Sequence, residues 1–234
     1  MIIAGIQKTS LVDWPENICS TVFLAGCNFR CPFCHNPELV LPEQIETLES
    51  MSETELITAL VERKRFIDGV CITGGEPLMS PDLIPLLRKL KDKGFLIKID
   101  TNGAFPTLLK KIIDDKLVDY VAMDIKGPKN RYAEITNTKI NPDLVEQSVK
   151  ILKQSNINYE FRTTVVKGLL TKEDMISIAN WLKGAKAYYL QQFVSSEKVL
   201  DKEYAGKKSY KPDELHEMLD AIKKDFKKTG VRGI

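Results

Sequence analysis

The chain alternates short, glycine-bounded apolar runs with stretches whose apolar residues recur every three to four positions, and this alternation limits the folds open to it more than any other feature. Ile18 to Leu24, rich in β-branched residues and closed by Gly26, reads as a buried strand. Ser52 and Glu55 mark a capping box for a helix that carries Leu56, Leu60 and Val61 on one face and stops at Gly69. Val70 to Thr73 is the next strand. A helix follows from near Pro81, with Leu83, Leu86, Leu87 and Leu90 on one stripe and Gly94 past its end. Further strands are expected at Phe95 to Ile99, Val118 to Met123, Tyr159 to Val166 and Ala185 to Phe193. Helices are expected at Phe105 to Ile113, from Asn141-Pro142, from a Thr171/Asp174 capping box and near Asp213 to Lys228. Ile3 to Ile6 and Thr9 to Val12 read as a small hairpin or edge strands, and Val231 to Ile234 as a short edge strand.

About six β-then-α units in a row favour an α/β fold, a parallel sheet covered by helices. A doubly wound sheet and a (β/α) barrel both fit the pattern. A full eight-unit barrel takes about 250 residues, so six units in 234 residues point to an incomplete (β/α)6 barrel. No linker or break in composition divides the chain, and one domain over residues 1–234 with a short N-terminal extension is expected.

The charges are balanced, with 34 Lys+Arg against 32 Asp+Glu, which gives no general case for nucleic-acid binding. No apolar run reaches the roughly 18 to 20 residues of a membrane span, and Lys8 and Asp13 interrupt the front of the chain where a signal peptide would be apolar. A cytoplasmic protein without membrane contact is expected. The lysines between positions 207 and 228 read first as a solvated face and second as a partner patch.

Three of the five cysteines, Cys27, Cys31 and Cys34, stand in a C-x3-C-x2-C run. Soft thiolates this close together select zinc, copper or an iron–sulfur cluster. A structural zinc site takes four protein ligands, and His35, adjacent to Cys34, is awkwardly placed as the fourth. Three cysteines on a four-iron cluster leave one iron open. Cys19 and Cys71 lie in apolar strand-like runs and read as inert core thiols.

In both architectures the polar residues at C-terminal strand ends face the active site. Besides the cysteine run these are Gly74 to Glu76, Asp100 to Asn102, Asp124 and Lys126, Arg162 to Thr164, and Gln191 with Gln192. Gly74-Gly75 offers backbone groups to a ligand with no Cβ in the way, and matches neither a dinucleotide fingerprint nor a P-loop. Asp124 and Lys126 alternate and so point the same way. They read either as a clamp for an amino-acid-like ligand or as a structural ion pair. Asp100 binds a ligand or cation, or caps the loop at Asn102-Gly103. No Ser/His/Asp constellation is present, and His216 lies on the solvated side of the last helix.

The cysteine triad with an aromatic residue before its last member, followed by Gly74-Gly75-Glu76-Pro77, resembles the radical S-adenosylmethionine superfamily, and the resemblance covers most of the chain. Within it the chain resembles glycyl-radical-enzyme activating proteins, in particular those of anaerobic ribonucleoside-triphosphate reductase. Ser10-Leu11-Val12-Asp13-Trp14-Pro15, Asp100-Thr101-Asn102-Gly103, Asp124-Ile125-Lys126 and Val231-Arg232-Gly233 carry this closer match. The resemblance implies a [4Fe–4S] cluster on Cys27, Cys31 and Cys34, with S-adenosylmethionine on the open iron. It implies that Gly74, Gly75 and Glu76 line the methionine end and that Asp124 and Lys126 contact the cofactor. Asp100 and Thr101 match a region that holds a monovalent cation in related activators. Gln191 falls where some relatives have a histidine contacting the cofactor, a departure from the family. The implied reaction is reductive cleavage to a 5′-deoxyadenosyl radical that takes a hydrogen atom from a glycine of a partner enzyme, anaerobic ribonucleotide reductase. A low-potential donor such as flavodoxin or ferredoxin would supply the electron. Two other readings are radical chemistry on a small molecule such as a deazapurine precursor, and a zinc-bound structural protein without catalysis.

Overall fold

A computed structural model describes residues 1–234. Eight strands alternate with helices: β1 (Ile3–Ser10), β2 (Cys19–Leu24), α1 (Pro42–Ile45), α2 (Glu53–Glu62), β3 (Gly69–Gly74), α3 (Leu83–Asp92), β4 (Leu96–Thr101), α4 (Pro106–Asp114), β5 (Tyr120–Asp124), α5 (Tyr132–Thr136), α6 (Pro142–Gln154), β6 (Asn158–Val165), α7 (Lys172–Leu182), β7 (Ala187–Gln192), α8 (Pro212–Ile222) and β8 (Lys228–Arg232). The sheet order follows the chain from β1 to β8. β1 runs antiparallel to β2, whereas β2 with β3, β3 with β4, β6 with β7 and β7 with β8 are parallel. Six β/α units in an open, largely parallel sheet make the incomplete (β/α)6 barrel expected from the sequence. No helix is long and apolar enough to cross a membrane.

The chain divides into two compact units. Unit 1 comprises residues 1–28, 36–101 and 107–121, and unit 2 residues 29–35, 102–106 and 122–234. In unit 1, strand register sets the two faces. Thr21, Cys71 and Lys98 are neighbours on one face, and Val22, Ile72 and Ile99 on the other. Leu83, Leu86, Leu87 and Leu90 of α3 are all fully buried, as their spacing predicted. The Ser52/Glu55 and Thr171/Asp174 capping boxes both form, and each satisfies backbone N–H groups that a helix start leaves open. In unit 2, Val145, Ser148, Val149 and Leu152 of α6 are buried. Met175, Ile178, Ala179 and Leu182 of α7 are buried as well.

Five boundaries differ from the sequence reading. The front of the chain is one strand, not a hairpin, because its residues pair with β2 over Ile3 to Ser10 through two register shifts. Asp100 and Thr101 lie inside β4 rather than after it, and Lys126 lies just past the end of β5. The last helix stops at Ile222. Phe226 continues the helical spacing of buried residues, yet it is extended (φ −130°) and packs its ring 5.0 Å from that of Tyr188. The edge strand therefore begins at Lys228, and its Gly230 lies opposite Tyr189, where a Cβ would stand 3.3 Å from the ring.

Leu86 is fully buried, so Leu86→Ala is expected to cost about 2–5 kcal/mol. The exposed Val61→Ala on α2 is expected to stay within about 0.5 kcal/mol. Denaturant midpoints of the two variants check this.

Candidate active site

Unit 1 holds Cys27, the Gly74-Gly75-Glu76 turn and the end of β4. Gly74 closes β3 at φ +114°, where a Cβ would stand 2.3 Å from the Leu24 carbonyl oxygen, and one on Gly75 would stand 2.1 Å from that of Gly26. Gly75 N donates to Leu24 O at 2.8 Å and Glu76 N to Gly26 O at 2.7 Å. The Gly75 and Glu76 N–H groups and the space beside the two glycine Cα atoms thus meet the segment that leads into Cys27. Glu76 is buried, and its Oε1 accepts from Leu78 N at 3.0 Å and from Thr101 Oγ1 at 2.7 Å. It ties the turn to the end of β4.

Asp100 does not stand alone. It forms an ion pair with Lys98, whose side chain is fully buried, and accepts from Thr73 Oγ1 at 3.4 Å. The Lys98 ammonium also lies 3.4 Å from Cys71 Sγ. The carboxylate that the resemblance offers to a monovalent cation thus has the Lys98 ammonium beside it. Lys98 was missed in the sequence, although it alternates with Asp100 as Lys126 does with Asp124. Cys19 and Cys71 are buried with Trp14, and burial pushes both thiols up, Cys71 well above its ordinary range. Both fit the expectation of core thiols.

Unit 2 holds Cys31, Cys34, Asp124, Lys126 and Gln191. Cys31 is buried and Cys34 half-buried, and all five cysteines are free of disulfides. The loop is pinned through its main chain. Cys34 N donates to Cys31 O at 3.0 Å, Arg30 N to Thr136 O at 2.9 Å, Leu200 N to Cys34 O at 2.9 Å and Asp201 N to Pro32 O at 2.9 Å. Phe29 packs edge-on to Tyr132, with ring centroids 6.2 Å apart.

Asp124 sits between two cations, Arg162 Nε at 2.9 Å and Lys126 Nζ at 3.0 Å. Burial works to raise its carboxyl, but Arg162 and then Lys126 outweigh burial and hold it well below the usual carboxylate range. Burial likewise works to lower Lys126, and Asp124 and then Cys31 outweigh it, so the ammonium stays charged beside the cysteine loop. Gln191 is half-buried on β7, with Thr164 and Arg232 as its register neighbours.

No group of three or more His, Cys, Asp or Glu side chains converges into a ready metal site. The donor set itself suits iron better than zinc. It offers three thiols on one loop, and the His35 ring is held by Val194 O, 2.6 Å from Nε2, and stacks on Phe193. Lys126 sets a fixed positive charge beside Cys31.

The family model described as the Radical SAM superfamily matches residues 21–182. A protein of Methanocaldococcus jannaschii, provisionally named a glycyl-radical enzyme activating enzyme, is 33% identical over 100% of this chain and 96% of its own length. The pyruvate formate-lyase-activating enzyme of Clostridium pasteurianum is 29% identical over 79% of this chain and 77% of its own. The 7-carboxy-7-deazaguanine synthase of Methanothermobacter thermautotrophicus is 31% identical over 66% of this chain and 60% of its own. Among solved structures, Streptococcus suis SuiB has the same fold, with a TM-score of 0.69 at 15% identity over 91% of this chain. The chain spans 48% of that structure.

Arg162→Met will raise the Asp124 carboxyl toward its ordinary value of about 4, read from its carboxyl carbon shift in a pH titration. Because the folded-state value is depressed, the stability Asp124 contributes is complete above about pH 4 and fades as pH falls. The stability difference between wild type and variant should therefore shrink on acidification.

Proposed function

The chain belongs to the radical SAM superfamily, and from that membership we propose that it is an activating enzyme that generates a glycyl radical on a partner protein. The observation that carries this reading is the match, end to end, with an archaeal relative named for that role. The partner we propose is an anaerobic ribonucleoside-triphosphate reductase, on the strength of the Ser10 to Pro15 segment and the Val231-Arg232-Gly233 ending. A low-potential flavodoxin or ferredoxin is the proposed electron donor.

In this reading Cys27, Cys31 and Cys34 hold a [4Fe–4S] cluster. When bound, the cluster and S-adenosylmethionine supply one-electron cleavage of the C5′–S bond, giving methionine and a 5′-deoxyadenosyl radical able to take a hydrogen atom. The chain's own residues bind and orient. Lys126 presents a permanent ammonium for the negative charge of the cofactor's carboxylate, and Asp124, kept ionised by Arg162, holds that ammonium in place. Glu76 holds the Gly74-Gly75 turn through Leu78 N and Thr101, so the turn lines the methionine end through main-chain atoms rather than through its own carboxylate. Asp100, Thr101 and Gln191 complete the proposed cofactor contacts, with Lys98 neutralising Asp100.

A second reading keeps the radical chemistry and changes the substrate to a small molecule, as the name of the deazaguanine synthase relative describes for that protein. The two separate on one measurement. The reduced, reconstituted protein is expected to form 5′-deoxyadenosine from S-adenosylmethionine, and with the candidate reductase to give a glycyl-radical signal in electron spin resonance. A modified small-molecule product without that signal supports the second reading. Stoichiometric zinc with no iron–sulfur absorbance after anaerobic reconstitution would remove both.

Cys31→Ala is expected to lose the cluster and all cleavage of S-adenosylmethionine. Iron analysis and the 5′-deoxyadenosine assay check it, and an intact cluster in that variant would contradict the ligand assignment.

A further inference from the structure

The segment between β7 and α8 carries no motif of its own, yet it lies along the second half of the cysteine loop. Leu200 N donates to Cys34 O at 2.9 Å and Asp201 N to Pro32 O at 2.9 Å. Val194 O lies 2.6 Å from His35 Nε2, and the Phe193 ring stacks on His35 at 5.3 Å. The segment is itself braced. Val199 is buried, the Asp201 carboxylate accepts from Glu203 N at 2.9 Å, Tyr204 N donates to Asp201 O at 2.9 Å, and Gly206 N donates to Ser195 Oγ at 2.6 Å. Two amides from a braced segment, aimed at the carbonyls that bracket Phe33-Cys34, fix the backbone of Cys34.

We propose that residues 193–201 are a positioning strap: the Leu200 and Asp201 amides hold the Pro32 to Cys34 backbone, and the strap keeps water from that side of the loop. The inference rests on the reading that these cysteines hold an iron–sulfur cluster. Partners behind the ligands tune metal retention by about 10- to 100-fold, and solvent exposure sets the potential of such clusters. A three-thiolate cluster gains negative charge on reduction. Water admitted beside it stabilises the reduced form, so loosening the strap raises the midpoint potential and speeds the loss of iron.

The test compares Leu200→Pro, which deletes the donor to Cys34, with Leu200→Ala, which keeps it. After anaerobic reconstitution of the full chain, Leu200→Pro should raise the cluster's midpoint potential and release iron to a chelator about tenfold faster. Leu200→Ala should match wild type in both. Equal values for all three proteins, or equal changes in the two variants, would overturn the strap. Should Leu200→Pro fail to fold by circular dichroism, Val199→Ser, which removes the buried anchor, takes its place with the same expectations. Amide exchange on the metal-free wild-type chain gives an independent readout: the Leu200 and Asp201 amides should be protected, and exchange at open-chain rates would overturn the inference. A wild-type chain that takes up no cluster under the same conditions would instead overturn the reading beneath it.

Discussion

The close approach of two backbones in unit 1 is the constraint from which the cysteine side of the site follows. The Gly74-Gly75 turn lies against Leu24 and Gly26, with Gly75 N and Glu76 N donating to their carbonyls. A Cβ on either glycine would stand within 2.3 Å of a carbonyl oxygen, so no other residue type fits there without displacing the segment into Cys27. Parallel pairing of β2 with β3 ends at Leu24 and Gly74, which places the turn beside that segment. The glycine pair thus does structural work one residue removed from the chemistry. The buried Glu76, bonded to Leu78 N and Thr101, locks it.

Charge inside each unit follows one rule. An ion stripped of water is costly unless a partner of opposite sign replaces the lost solvation. Lys98 is fully buried and has Asp100, while Asp124 is flanked by Arg162 and Lys126. In the second group two cations share one carboxylate, so the group is positive on balance and lies beside Cys31. A site of that sign is suited to an anionic ligand and to thiolate donors. Cys19 and Cys71 illustrate the contrary case: burial outweighs the nearby Lys98, and their thiols are pushed up, away from reactivity.

Much of this was legible in the sequence, and the reasons are specific. The Leu83 to Leu90 stripe and both capping boxes are local, so periodicity and spacing recovered them. The cysteine run and the glycine pair were legible because their chemistry is rare. Lys98 was passed over because a lysine inside an apolar run looks like an interruption until the strand's alternation places it with Asp100. The end of the last helix was misread because Phe226 keeps a helical interval while packing from an extended backbone onto Tyr188, a contact 38 residues away in sequence that no local signal carries. The glycine pair was seen; its close approach to the backbone at Leu24 and Gly26 was not, because it joins segments distant in the sequence.

The cysteine loop raises a different physical question, namely how a short segment with a proline inside it and Gly26 just ahead of it keeps one shape. Its main chain answers through peptide groups. Cys34 N is met by Cys31 O, Arg30 N by Thr136 O, and the Pro32 and Cys34 carbonyls by Asp201 N and Leu200 N. Phe29 and Phe33 are buried and anchor it by their rings. Because shape comes from the backbone and two aromatic anchors, the ordering entropy of the loop is met at folding rather than at metal binding. The rest of unit 2 accordingly gives two main-chain donors, Leu200 N and Asp201 N, and one main-chain acceptor, Thr136 O, to seven residues from the other half of the sequence.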